Sequence, residues 1–292
     1  MTDRRRKNGR PDGTLRIPLG VLNWDVNRVT LGVAGASVLG FLYLPIVVLV
    51  IFSFNANPIT RLPLTEWTLK WYDTAFSNEV LLTALANSVI VGLGAVAICL
   101  VIGVPTALAL DRYEFPGKAI LRRFVILPLT LPGLITGVSM LAFFNMLGIS
   151  LSLATVLVGH GTALTAIVVT NVFARLQRYD RRIEEASADL GAGPLRTFWY
   201  VTLPNIRSTL IGSSLIAFTL SFDEIPVTFF LTGRDNTLPM YIWSTVRRGI
   251  TPEINAIGSI IIATSICLLL VAVFIMRGED RRSAARGVRR GA

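Results

Sequence analysis

The 292-residue sequence contains only two cysteines and one histidine, too few for a thiolate or imidazole metal centre or for a framework of disulfides. Cys99 and Cys267 lie deep inside apolar runs and read as packing residues. No G-x-x-x-x-G-K-[ST] run occurs, so the chain lacks a phosphate cradle of that type, and energy from a nucleotide must come from a partner. No metal-ligand cluster or nucleophile–base pair stands out in the apolar runs, which argues against a membrane-embedded enzyme. Long polar stretches are also missing, so the net charge of +10 has no folded polar domain on which to build a nucleic-acid-binding face.

What the sequence has in abundance is apolar length. Hydrophobic residues make up 52% of it, and its mean hydropathy is +0.61. A spanning helix needs about 20 mainly apolar residues. Six runs meet that requirement, free of charge except at Asp223 and Glu224: Val29 to Phe54, Val80 to Leu110, Phe124 to Leu147, Ile149 to Ala174, Ser208 to Leu231 and Ala256 to Met276. Of the 28 Lys and Arg residues, 23 fall in residues 1–28, in the second and fourth connections and in the tail. The positive-inside rule then puts both termini and those two connections in the cytoplasm, as an even number of spans requires. Aromatic anchors agree, with Trp67, Trp71, Tyr241 and Trp243 at outer boundaries and Trp24, Tyr113, Trp199 and Tyr200 at inner ones. The first run is 26 residues long and lacks a clear small-residue cleavage site, so it reads as a retained anchor helix rather than a signal peptide. The expected organisation is an all-α integral membrane protein of six transmembrane helices. A basic segment at 1–28 precedes a permease domain at 29–276, and a basic tail follows at 277–292.

The breakers refine this picture. Leu147-Gly148-Ile149 is nearly the whole connection between the third and fourth runs and predicts a tight hairpin. Pro45, Pro105, Pro128, Pro132 and Pro226 lie in or at the ends of runs, where the missing backbone donor implies kinked helices. Gly133 and Gly137 form a G-x-x-x-G spacing that permits close helix approach but recurs by chance in Gly-rich membrane chains. The connection from Arg175 to Arg207 alternates charged and apolar residues, as suits helices at a membrane surface. Within it, Glu184 to Leu190 predicts one short helix, Gly191 and Gly193 a turn, and Pro194 the first position of a second helix, with Leu203-Pro204 closing the element.

In this connection stands Glu185-Ala186-Ser187-Ala188-Asp189-Leu190-Gly191, then nine residues, then Val201-Thr202-Leu203-Pro204. The spacing resembles the EAA loop of bacterial ABC importer permeases: E-A-A, three residues, G, nine residues, I-x-L-P. Ser187 and Val201 are small departures from that pattern. Small residues let such a helix sit closely in a partner's groove, Gly191 allows the chain to reverse, and Glu185 offers a carboxylate to a basic partner. Similarity extends along most of the chain to the spermidine/putrescine permease group. It is carried by Tyr43-Leu44-Pro45, Ser53-Phe54-Asn55, Asn87-Ser88, the Asp111 to Lys118 loop, Leu127-Pro128 with Pro132, and Arg175-Leu176. Ser221-Phe222-Asp223-Glu224, Thr232-Gly233, Leu238-Pro239 and Pro252 to Ala256 are similar to the second permease of that group.

The resemblance implies a type I ABC importer permease fold, a core of five helices with an added N-terminal helix, in the bacterial inner membrane. It also implies the partners: a second permease subunit forming a heterodimer, two ATPase subunits that bind ATP and Mg, and a periplasmic or extracellular solute-binding protein. No cofactor is expected in this chain, and no nucleic acid; membrane lipid surrounds it. Glu185, Ala186, Ser187, Asp189, Gly191, Leu203 and Pro204 are the expected ATPase-coupling residues.

Asp223 and Glu224 are the only carboxylates inside an apolar run. Each costs about 2.5–3.5 kcal/mol at a lipid-exposed helix centre, so the pair should face protein, water or a passing solute. If the run is helical to Leu231, the pair lies about 12 Å inside the outer boundary, and no Lys or Arg lies at that depth to neutralise it. With Phe222, the pair either lines a path for a small cation such as a polyamine, caps a broken helix before Pro226, or meets a basic residue of the second permease. His160, between Gly159 and Gly161, reads as a packed, hydrogen-bonded side chain with no assigned function. An ion-coupled secondary transporter would instead use Asp223, Glu224 and His160 as its coupling site; the Glu185 to Pro204 spacing speaks against it. Related permeases also carry amino-acid derivatives or anions, which leaves the solute open at this level.

Overall fold

The computed structural model describes residues 24–58, 64, 66–249 and 252–267. The basic N-terminal segment before Trp24, the end of the sixth apolar run and the basic tail lie outside them. Among the described residues the chain is helical, with one isolated antiparallel bridge between Asn55 and Trp67. It divides into two units, residues 1–51 and 52–292.

The first unit holds all but the last residue of α1 (Trp24–Phe52), an apolar helix that contains Pro45. Its side chains from Val29 to Val48 are all exposed, the surface expected of a helix whose solvent is lipid or another chain.

The second unit holds α2 (Lys70–Ser77), α3 (Glu79–Arg112), α4 (Lys118–Thr130), α5 (Gly133–Met146), α6 (Leu153–Leu176), α7 (Arg182–Asp189), α8 (Pro194–Thr197), α9 (Leu203–Phe222), α10 (Pro226–Leu231), α11 (Leu238–Val246) and α12 (Pro252–Cys267). Its main core lies where α3 meets α6 and the start of α9: Cys99, Val104, Ala107 and Leu110 pack with Val168, Val169, Val172, Leu176 and Ile206. Close approach depends on small residues, because a Cβ at Gly103 would lie 3.0 Å from the Val168 Cβ. A second cluster joins Val91 and Phe144 to Val156, Val227 and Leu231. Cys99 is buried in the core, whereas Cys267 is exposed, so only the first is a packing residue within this chain.

Three described helices are long and apolar enough to cross a membrane: Val29–Phe52, Glu79–Arg112 and Leu153–Leu176. The third apolar run is not one straight helix. It breaks at Leu131-Pro132, and α4 and α5 are bent by 108°; if the pair is one span, the crossings number four. The fifth run breaks too, at Asp223–Ile225 between α9 and α10, so the depth worked from an unbroken helix does not apply to Asp223.

Leu203-Pro204 does not close the preceding element but opens α9. The preceding residues Phe198–Thr202 form a π turn, so the chain runs on from α8 with its hydrogen-bond register shifted just before a proline that cannot donate. The Asn205 side-chain amide Nδ2 then donates to the Val201 carbonyl at 2.7 Å. The α5–α6 hairpin turns as expected: Gly148 takes a left-handed φ of 66°, and the Gly148 and Ile149 amides donate to the Asn145 and Phe144 carbonyls. That pattern is a Schellman close.

Candidate functional site

Residues 177–202 form a compact appendage, and two carboxylates bolt it to the end of α3. The Asp111 side chain, 3% exposed, accepts from Arg181 at 2.8 Å and from Gln177 at 2.6 Å. Glu184 Oε1 accepts from Arg112 at 2.5 Å and from the Thr202 hydroxyl at 2.5 Å. One residue of α7 thereby joins the end of α3 to the turn that starts α9. Burial pushes the nearby Tyr179 phenol above its ordinary pKa, and the Glu184 carboxylate adds to the shift while Arg112 opposes it.

The expected coupling residues do not share one environment. Glu185, Ala186 and Asp189 are exposed, and Glu185 makes no ion pair among the described residues. Ser187 turns inward, its hydroxyl 3.1 Å from that of Thr197. Gly191 has φ +82°, and the Gly191 and Ala192 amides donate to the Ala188 and Ser187 carbonyls, a second Schellman close. The segment also exposes large apolar side chains: Leu190 at 89%, Leu195 at 77% and Tyr200 at 78%. Leu203 is half-buried and Pro204 exposed.

The acidic pair sits in the second break, and its two members differ. Glu224 caps α10: its Oε1 accepts from the Val227 amide at 3.0 Å, which satisfies an otherwise orphan donor. Its carboxylate lines a cavity of about 160 Å³ with Pro128, Leu131, Gly133, Thr136 and His160. Two helix breaks therefore meet at one carboxylate. Gly133 and Gly137 make the meeting possible: a Cβ at Gly133 would lie 3.1 Å from Glu224 Oε1, and one at Gly137 2.8 Å from the Phe230 ring. Asp223 is exposed and, with Phe222, lines a separate cavity of about 300 Å³ against α11 and Ile261. His160 is buried and bonds to Ser221 and Thr228, not to either carboxylate. The three residues of the ion-coupling alternative are thus not one constellation.

The junction among Asp111, Arg112, Arg181, Glu184 and Thr202 escapes a reading by motif because its bonds join residues 18 to 90 positions apart. The available signal was the Asp111-Arg112 pair ending a long apolar run opposite a loop of mixed charge.

The protein family described as binding-protein-dependent transport system inner membrane component matches residues 99–284, which include both the appendage and the broken helix. The chain belongs to this family. Among its curated relatives, the spermidine/putrescine transport system permease protein PotC of Haemophilus influenzae is 34% identical over 83% of this chain and 95% of its own length. The putrescine transport system permease protein PotI of Escherichia coli is 34% identical over 83% of this chain and 89% of its own. The fold is that of ABC importer permeases. A chain of a bacterial ABC transporter that imports alginate superposes with a TM-score of 0.65 at 17% identity, covering 87% of this chain and 95% of that one. A chain of the MetNI methionine ABC transporter superposes with a TM-score of 0.55 at 17% identity, over 66% and 92%.

This protein is therefore an inner-membrane permease subunit of an ATP-driven importer. It is a non-catalytic subunit: ATP is hydrolysed by a separate ATPase. The relatives and neighbours imply a permease pair working with that ATPase and a solute-binding protein.

Proposed function

We propose that this chain forms half of the translocation path for a small organic cation of the polyamine class. A second, different permease completes the path, two ATPase subunits bind ATP and Mg, and an external binding protein delivers the solute. Both termini and the 175–207 connection are cytoplasmic, and the Glu185 to Pro204 segment docks on the ATPase. Support for docking comes from the segment around Gly191, which exposes Leu190, Leu195 and Tyr200 as well as Glu185, a carboxylate with no ion-pair partner among the described residues. An apolar patch rimmed by charge is the usual form of a protein interface.

The observation that carries the substrate class is the acidic pair at the break. Neither Asp223 nor Glu224 has a cationic partner among the described residues. A carboxylate at a helix start attracts a cation, and amines passing it are held by charge-assisted hydrogen bonds. The names of the spermidine and putrescine relatives point to the same chemistry. The cap on α10 and a solute site are compatible uses of Glu224, since one oxygen serves the cap.

The test is putrescine and spermidine uptake into proteoliposomes holding the complete complex with Asp223→Asn, Glu224→Gln or both. The amides keep volume and part of the hydrogen bonding while removing charge. The complex should assemble, the binding protein should keep its affinity, and uptake should fall. Undiminished uptake by the double variant would remove the pair from the path.

A further inference from the structure

The one histidine of the chain lies at the break that carries Glu224. His160 is 2% exposed, in the middle of α6. Its Nδ1 lies 2.8 Å from the Ser221 hydroxyl, in the last turn of α9. Its Nε2 lies 3.0 Å from the Thr228 hydroxyl, in the first turn of α10. The ring therefore holds both ends of an interrupted helix from outside it.

The direction of these bonds follows from proton counting. Thr228 donates its only hydroxyl proton to the Glu224 carbonyl at 2.9 Å, so towards the ring it can only accept. Nε2 must carry the proton, and in the neutral ring Nδ1 accepts from Ser221. The result is one unidirectional chain: Ser221 to His160, His160 to Thr228, Thr228 to the Glu224 backbone. Glu224 is fixed a second time where its Oε1 caps the Val227 amide. Every donor in the chain is used, and the two hydroxyl residues are 4% and 0% exposed.

The neighbours of His160 are shaped to seat it there. A Cβ at Gly159 would lie 2.6 Å from Leu231 Cδ1 and 3.2 Å from Val227 Cγ1, so α10 closes directly onto α6 at that point. A Cβ at Gly161 would lie 2.8 Å from Ile98 Cγ2, which lets α3 close from another side. The Gly-His-Gly triplet thus brings α10 and α3 against α6 on either side of a ring that has one donor and one acceptor at fixed separation. A flexible amide does not offer that pair of contacts in one rigid plane.

We infer that His160 is a positioning residue for the path: by bridging Ser221 and Thr228 it sets the geometry of the α9–α10 break and aims the Glu224 carboxylate into the cavity between the two breaks. This rests on the reading of Glu224 as a solute-facing group. His160 acts through Thr228 and Glu224.

The experiment measures the geometry of Glu224 separately from transport. The purified complex in nanodiscs is treated with dicyclohexylcarbodiimide, which modifies carboxyls in apolar surroundings, and modification of the Glu224 peptide is followed by mass spectrometry. Variants are His160→Ala, His160→Gln and Thr228→Val. Thr228→Val keeps the volume and removes two bonds of the chain, so it decides the matter if His160→Ala does not assemble. His160→Gln keeps reach to Thr228 only. Expected are a change of about fivefold or more in the Glu224 modification rate for His160→Ala and Thr228→Val, and partial return towards wild type for His160→Gln, as loss or recovery of a hydrogen bond of ordinary strength produces. Solute should protect Glu224 in wild type, and the concentration for half-maximal uptake should rise more than the maximal rate falls. A modification rate within about twofold of wild type in assembled His160→Ala or Thr228→Val, less than one ordinary hydrogen bond is worth, overturns the inference. Altered modification with no protection by solute leaves the positioning geometry standing and removes the solute role of Glu224.

Discussion

Glu184→Ala should loosen the appendage from α3 without unfolding it. The substitution removes the oxygen that accepts from both Arg112 and Thr202. A hydrogen bond to a charged group contributes about 1.5–3 kcal/mol, but two that share one oxygen do not add. Arg112, 29% exposed at its side chain, regains water when released, while the junction of Asp111 with Arg181 and Gln177 remains. We therefore expect about 2 kcal/mol, a roughly 30-fold rise in the open population of the 182–202 segment. Hydrogen–deuterium exchange of the complex reads this directly, as faster exchange of peptides covering α7 and the turn after it. ATP hydrolysis should continue while solute moved per ATP falls, because one of the two junctions that carry loop displacement to α3 is lost and only the Asp111 junction remains. Glu185→Ala is the control: its side chain is exposed and outside this junction, so exchange in the isolated chain should be unchanged and only the response to the ATPase lost. Unaltered exchange and unaltered coupling in Glu184→Ala would refute the reasoning.

Two further outcomes follow from the same geometry. Gly191→Ala should destabilise the appendage by about 1–2 kcal/mol, the cost of a left-handed L-residue, because Gly191 has φ +82°; Gly193, at φ −70° with nothing within 4 Å of a Cβ, should accept alanine with little change in the melting of the complex. In the topology proposed, cysteine at Asn236 should react with an impermeant maleimide added outside, and cysteine at Ala192 only after the inner side is opened; external labelling at Ala192 would overturn it.

Helix positions were largely legible because uncharged length and basic flanks depend on local composition alone. The turn at Gly191 and the hairpin at Gly148 were legible for a similar reason, since a left-handed C′ glycine is a local requirement. The breaks were legible only in part. Pro132 and Pro226 marked where a helix lacks a donor, but not that α4 and α5 bend by 108° or that both breaks meet at Glu224. The Gly133 and Gly137 spacing looked like chance, yet both glycines admit α10. Glu185 drew attention because it belongs to a motif. Glu184, its neighbour, makes the inward contact, and a choice between two adjacent acids on a short helix depends on which face meets a residue 72 positions away.

The most direct test is what energises solute movement. The tagged chain is purified from membranes with its bound partners and reconstituted into proteoliposomes with the binding protein and its solute. The account predicts that an ATPase subunit copurifies, that uptake requires ATP hydrolysis, and that ionophores leave it intact. Uptake by the chain without an ATPase, persisting without ATP and collapsing when ion gradients are dissipated, would contradict it.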